Sequence, residues 1–273
     1  MPELPEVETV CRGIRPFALG EKIDKIIVRN KNLRWPVPKL IKTKAKNQTI
    51  KRIARRAKYI LLELANGTII IHLGMSGTLK IVNAKTPAIK HDHIDIVLAN
   101  DRCLRLNDPR RFGCVLWTDD DPYRHELLCD LAPEPLAAKF NTAYLHKRLQ
   151  GRKALIKNVI MDNKTVVGVG NIYASESLFL SRINPGLTAN KISRDQARSL
   201  VKNIKKVLRA SIKSGGTTLK DFAQADGRPG YFAQKLLVYS KEGEPCPVCE
   251  TMIEHMQIGQ RASYYCPRCQ NMS

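Results

Sequence analysis

Cys246-Pro-Val-Cys249 and Cys266-Pro-Arg-Cys269 form two Cys-x2-Cys knuckles separated by sixteen residues. That spacing belongs to a closed four-thiolate zinc site: each knuckle aims two sulfurs inward, and two knuckles at the base of a hairpin complete a tetrahedron with no open position. One Zn2+ on Cys246, Cys249, Cys266 and Cys269 is therefore expected, with a structural role. Such a metal contributes roughly 10–16 kcal/mol of apparent free energy, enough to fold a segment with almost no core of its own. A pair of disulfides is the competing arrangement. Against it, no signal peptide opens the chain, and Cys11, Cys103, Cys114 and Cys129 lie in otherwise apolar stretches, as buried free thiols do in a reducing cytoplasm. His255 lies inside the array, but four cysteines saturate the metal, so His255 and His146 read as polar surface histidines.

Outward from the array, composition names the partner. The 273 residues carry 46 Lys and Arg against 25 Asp and Glu, a formal charge of +21. That is well beyond what solubility requires and makes nucleic acid the natural counterion. An anionic membrane surface is the alternative, but no apolar run is long enough to span a bilayer, and the basic residues are spread over several segments. Length and 43% hydrophobic content allow two domains plus the metal module.

The pattern changes character at Leu131-Ala-Pro-Glu-Pro-Leu136. Before it the chain reads as strands. Residues 61–64 and 68–72 flank Asn66-Gly67, a strong hairpin signal, and Ile94, Ile96 and Leu98 alternate with polar neighbours before a turn at Asn100-Asp101. Short strands at this spacing predict a sandwich. Beyond the linker, Ser193-x-x-Gln196 is a capping box, and Ala197, Leu200, Val201, Ile204, Val207, Leu208 and Ile212 form one apolar helical face. The lysines and arginine on the rest of that helix read as a solvated surface. The predicted fold is α+β multidomain: an N-terminal β-sandwich with flanking helices (2–131), a helical domain (132–236) and a terminal zinc hairpin (237–271).

The N-terminus carries the second signal. In Met1-Pro2-Glu3-Leu4-Pro5-Glu6-Val7-Glu8, removal of the initiator methionine exposes the secondary amine of Pro2. An α-amino group titrates near 7.7–8.0, so a useful fraction is neutral at pH 7, and a secondary amine attacking an aldehyde-level sugar carbon gives an iminium, an electron sink for elimination. Pro5 is read instead as a helix start, with Val7, Val10, Cys11 and Ile14 as the buried stripe.

Together the two ends, with four internal segments, identify a resemblance. MPELPEVE at the start, RRAKYILLEL around Lys58, HLGMSG around Met75, NDPRRFG around Arg110, MDNKTVVGVGNIYASE around Asn171 and GQRASYYCPRCQ around Arg261 occur in this order. Over essentially its whole length the chain resembles the formamidopyrimidine-DNA glycosylases, bacterial base-excision enzymes for oxidised purines. The resemblance implies a helix-two-turns-helix element in the second domain and double-stranded DNA containing oxidised bases as partner. It also implies a monomer, cytoplasmic localisation with activity at the nucleoid, and no membrane. It makes Pro2 the Schiff-base nucleophile at C1′ and Glu3 the acid that protonates the sugar oxygen. Lys58 is then the proton donor in β-elimination, and Arg261 serves δ-elimination and phosphate binding. Met75, Arg110 and Phe112 match the side chains that fill the stack after a base is flipped out. Asn171, Arg152, Lys157, His72 and His91 are implied as further DNA contacts. A loop at roughly residues 215–231 would grip the lesion through main-chain amides.

Two alternatives remain at this point. Endonuclease VIII shares the proline, the helical element and the zinc hairpin but excises oxidised pyrimidines; the MPELPEVE start and NDPRRFG favour the purine enzyme. A non-enzymatic zinc DNA-binding protein fits the charge and the metal equally, and only the N-terminus separates it.

Overall fold

The strand pattern of the first half becomes two four-stranded antiparallel sheets. A computed structural model of the chain describes residues 2–216 and 235–271, in two compact units built mainly on residues 2–130 and on 131–211 with 235–271. The first unit opens with helix α1 (Leu4–Ala18) and strand β1 (Ile23–Val28), followed by a short helix α2 (Ile41–Lys44). Strands β2 (Arg52–Arg56), β3 (Tyr59–Leu64), β4 (Gly67–His72), β5 (Thr78–Asn83), β6 (Asp92–Leu98), β7 (Arg102–Asn107) and β8 (Cys114–Thr118) follow. One sheet has the order β1-β6-β7-β5 and the other β2-β3-β4-β8. Alternate residues of both, such as Ile60, Leu62, Ile69 and Ile71 from one and Ile94, Ile96, Leu104 and Leu106 from the other, meet in a single core with Val7, Val10 and Ile14 of α1. This is the period-two burial of a sandwich, closed by one helix.

Three expectations change in detail. The β3–β4 turn falls on Ala65-Asn66, and Gly67 is already paired with Leu64. Its glycine serves another purpose: a Cβ there would collide with the Trp117 ring. Strand β6 is buried at every position instead of alternating. Its polar members are satisfied internally, since Arg105 Nε and Nη2 donate to both oxygens of Asp95 at 2.8 and 2.9 Å. Cys11, Cys103 and Cys114 are buried, and burial pushes each thiol up to about 12, but Cys129 is exposed because it sits in the loop segment after β8.

The second unit is helical, with α3 (Thr142–Leu149), α4 (Ile156–Met161), α5 (Asn171–Leu180) and α6 (Arg194–Lys213). The predicted capping box of α6 is present: Gln196 N–H donates to Ser193 Oγ at 3.1 Å, and Ser193 N–H donates back to Gln196 Oε1 at 2.9 Å. Strands β9 (Glu254–Ile258) and β10 (Arg261–Tyr265) make the terminal hairpin. The fold is thus the expected combination of sandwich, helical domain and four-cysteine hairpin.

Candidate active site

Helix α1 runs antiparallel to β2, and three contacts record its path. Arg15 Nη2 donates to Ile53 O at 2.9 Å, Cys11 Sγ donates to Ala54 O at 3.7 Å, and Arg55 Nε donates to Glu8 Oε2 at 3.0 Å. Continuing the sequence of partners carries the N-terminal end of α1 toward the β2–β3 turn, where Lys58 lies. Pro2 and Glu3 are buried at this end. Glu3 is the N-cap, and its N–H donates to Glu6 Oε2 at 2.9 Å in a capping box that fixes the first turn of backbone. Glu8 is held below the ordinary carboxylate range by Arg12 and Arg55, against the opposing effect of burial.

The β2–β3 turn consists of Ala57 and Lys58, between the paired Arg56 and Tyr59. Ala57 has φ 54°, a left-handed conformation that a side chain adopts at a cost of about 1–2 kcal/mol. Arg55 Nη1 donates to Ala57 O at 2.9 Å and braces it. Register then places the other candidates at the same sheet end: Tyr59 pairs with His72, and His72 with Cys114.

Two loops leave that end and lock together. Met75 stands on residues 73–77, and Arg110 and Phe112 on residues 108–113. A Cβ on Gly74 (φ 65°) would lie 2.5 Å from Gly113 N and Phe112 C, so the backbones touch. Asp108, fully buried, accepts from Gly113 N–H through Oδ2 at 2.8 Å, and its backbone O accepts from Arg111 N–H at 3.2 Å. From this base Met75 and Phe112 project with 39% and 41% exposure, large for apolar side chains on a unit with ample core. The Arg110 guanidinium stacks 4.7 Å from the Phe112 ring centroid. Asp108, Gly74 and Gly113 were not singled out from sequence; Asp-Pro and flanking glycines announce turns, not that two turns touch.

His72 is half-buried. Gly74 N–H donates to His72 Nδ1 at 3.0 Å, which leaves the ring proton on Nε2. Burial first, then the charges of Lys58 and Arg34, lower its pKa to about 4. At neutral pH it therefore offers a hydrogen bond and no charge. His91 is half-buried with φ 74°, edge-on to the His93 ring at 6.2 Å.

In the second unit the Gly-rich turn ends at Gly170, the N-cap of α5, and Asn171 is the first helical residue. Asn171 Nδ2 donates to Ala262 O at 3.0 Å. Lys157 on α4 is only 1% exposed; its Nζ donates to Ala262 O at 3.1 Å and to Ser263 Oγ at 2.6 Å. These side chains grip β10 next to Arg261, so Lys157, expected at the DNA surface, is directed into the hairpin. Arg152 is half-exposed and lies 3.4 Å from Asp162 and 3.2 Å from Thr165 Oγ1. Arg261 itself is exposed, directly after the Gly259-Gln260 turn. Glu176 was also missed. Its buried carboxylate accepts from the N–H groups of Leu237, Val238 and Tyr239, each at 2.9 Å, and ties the start of the zinc module to α5.

The four hairpin sulfurs lie within 4.8 Å of one another, with separations such as 3.4 Å (Cys249–Cys266, Cys249–Cys269) and 3.9 Å (Cys246–Cys269). Four ligands at a Zn–S bond of about 2.3 Å require sulfurs about 3.8 Å apart, so the set fits zinc. His255 is turned elsewhere, with Nδ1 2.6 Å from Glu242 Oε1. The loop implied for lesion recognition lies, from residue 217 onward, outside the described residues.

Three family models match in order: the formamidopyrimidine-DNA glycosylase N-terminal domain over residues 1–115, its H2TH domain over 131–223, and the zinc finger found in FPG and IleRS over 243–271. The chain belongs to the formamidopyrimidine-DNA glycosylase family. A formamidopyrimidine-DNA glycosylase of Hydrogenovibrio crunogenus is 54% identical over 99% of this chain and 96% of its own length. Among solved structures, MutM (Fpg) of Thermus thermophilus superposes with a TM-score of 0.90 at 33% identity, covering 100% of both chains. Wild-type Lactococcus lactis Fpg, solved with DNA containing N7-benzyl-Fapy-dG, gives 0.92 at 31% identity, covering 99% of this chain and 100% of that one. As a member of this family the chain carries one structural zinc on its four terminal cysteines.

Proposed function

We propose that this chain removes oxidised purines, 8-oxoguanine and formamidopyrimidines, from duplex DNA in base-excision repair and then cleaves the strand, acting as glycosylase and AP lyase. The amine of Pro2 attacks C1′ of the damaged nucleotide while Glu3 protonates the sugar oxygen; the base departs and an iminium links enzyme and sugar. Lys58 serves the β-elimination that follows and Arg261 the δ-elimination, both also meeting phosphate. Met75 and Phe112 fill the vacated stack, and Arg110 bonds the orphaned partner base. His72, His91, Arg152 and Asn171 meet the backbone, His72 as a neutral donor. Lys157 acts one step back, by holding the strand next to Arg261. The working divisions are 2–131 for chemistry, 132–236 for DNA binding and 237–271 for the zinc finger. The enzyme works as a monomer at the nucleoid of the cytoplasm, in keeping with unpaired buried thiols.

The path of α1 along β2 carries this reading. It directs the N-terminal end of the chain toward the β2–β3 turn of Lys58, and His72 and the stacked Arg110 and Phe112 belong to the same sheet end, which supports the reading. A regulator that only bound DNA would have no use for a buried Pro2 and Glu3 there, where removal of Met1 frees a secondary amine. Borohydride trapping tests it: on a duplex with one 8-oxoguanine opposite cytosine, the enzyme becomes covalently attached through Pro2, and a retained Met1 or an N-terminal tag abolishes the adduct. Full incision by a tagged enzyme refutes the nucleophile. An adduct formed only on oxidised pyrimidines favours the endonuclease VIII reading.

A further inference from the structure

The segment that follows β1 folds over a cavity of about 640 Å³, inside the range of about 300–1,000 Å³ usual for small-molecule sites. Its frame is made by backbone: Val37 N–H donates to Lys31 O at 2.9 Å, and Asn32 bridges Pro36. That closure brings Lys31, Lys39 and Lys42 to one cavity, and no carboxylate lines it. Arg29 also faces it, but is neutralised by Asp95 at 2.6 Å. None of the three lysines is in an ion pair among the described residues. Residues 25–62 contain no Asp or Glu at all, so no acidic neighbour in sequence offsets them.

The remainder of the lining has a different chemistry. Val28, Val37 and Pro38 supply an apolar floor, and the Asn32 side-chain amide at the rim has no partner among the described residues. Three exposed, unpaired lysines around one cavity concentrate positive charge there, and a multiply charged anion neutralises it. An apolar floor beside them is wasted on a bare anion but packs a planar base. A duplex is too broad to enter a concavity of this size, whereas a free small molecule fits it. We propose that this cavity binds a free nucleoside polyphosphate, with its phosphates on Lys31, Lys39 and Lys42 and its base over Val28, Val37 and Pro38. None of its lining residues is among those assigned to excision, although Arg34 N–H of the same segment donates to Gly113 O beside Phe112 at 3.1 Å.

Calorimetric titration of the full zinc-loaded chain with adenosine triphosphate, inorganic triphosphate and adenosine tests this, each with and without saturating undamaged duplex. The expected result is one nucleotide per chain, bound less than threefold more weakly when duplex is present, and at least tenfold more tightly than either fragment. The triple variant Lys31→Gln, Lys39→Gln, Lys42→Gln then loses at least tenfold in nucleotide affinity, while incision at 8-oxoguanine is unchanged. Displacement of the nucleotide by duplex overturns the proposal, since the ligand then sat on the DNA surface. Wild-type affinity in the triple variant overturns it too, as does equal binding of inorganic triphosphate. Because incision is read in parallel, failure here is distinct from failure of the glycosylase reading.

Discussion

Arg110 and Arg261 each stand at a tight turn beside a left-handed residue, Arg111 at φ 56° and Gln260 at φ 59°, yet the two turns are held by different means. The turn of Arg110 grows out of a sandwich with one large core, and short-range packing is enough to aim it: a buried carboxylate on Gly113 N–H and a glycine backbone against a neighbouring loop. The turn of Arg261 tops a two-stranded hairpin whose apolar support is small, namely Phe179, Val238 and Ile253 with the buried Cys246 and Cys266. A hairpin of two strands is marginal alone, so four thiolates hold it from below and Lys157 and Asn171 from the side. Where a core exists, loops can be positioned by contact; where it does not, charge and metal take over. Each support should therefore fail in its own way.

Removing the metal should break the comparison most sharply, because roughly 10–16 kcal/mol of apparent binding energy is at stake. In a verified zinc-free sample, the amides of β9 and β10 should lose protection from hydrogen exchange while those of β3 and β4 keep theirs. Protection surviving in the hairpin would mean that its small core suffices after all. Gly74→Ala is the matching lesion in the other turn. Its Cβ would lie 2.5 Å from two backbone atoms at a positive φ, so overpacking of about 1–3 kcal/mol adds to the conformational cost. Thermal melting should fall by several degrees, with incision falling further as Met75 and Phe112 lose their base. Lys157→Met is a smaller lesion. It strips the buried partners Ala262 O and Ser263 Oγ of a charged donor, for about 1–3 kcal/mol. δ-Elimination should drop while the dependence of DNA affinity on salt keeps its slope; a phosphate contact would lower that slope by about 0.9.

The same contrast explains what could be read from the chain before folding. A metal site is written in spacing, because Cys-x2-Cys is local; the zinc module and the Ser193 to Gln196 cap were therefore legible. The sandwich was legible from alternation, except where burial on every side, as in β6, erased the alternation and left Arg105 and Asp95 to satisfy each other across strands. Contacts between distant segments leave no such mark. Nothing local announces that Lys157 reaches residues 262 and 263, or that Glu176 holds three amides of residues 237–239. The family resemblance marks Lys157 as a DNA contact, and only tertiary packing turns it inward.

Acid should separate the two turns with the smallest perturbation of all. His72 lies under the first turn, its Nδ1 accepting from Gly74 N–H, and its pKa is lowered to about 4 by burial and by the nearby charges of Lys58 and Arg34. An unfolded histidine titrates near 6.5, so between those values the unfolded chain binds more protons than the folded one, and stability rises with pH. The neutral ring thus contributes fully above about pH 6.5, and its contribution is lost as pH falls toward 4, by about 2 kcal/mol at pH 5. Protonating Nδ1 also removes the acceptor of Gly74 N–H, so loosening should begin in residues 73–77 and pass to residues 108–113 through their shared backbone contact. The hairpin of Arg261 makes no use of His72 and should keep its exchange protection at the same pH. His72→Gln should flatten the stability difference between pH 7.5 and pH 5 relative to the parent. If the parent and the variant lose stability equally over that interval, the imidazole is not the neutral support of the first turn.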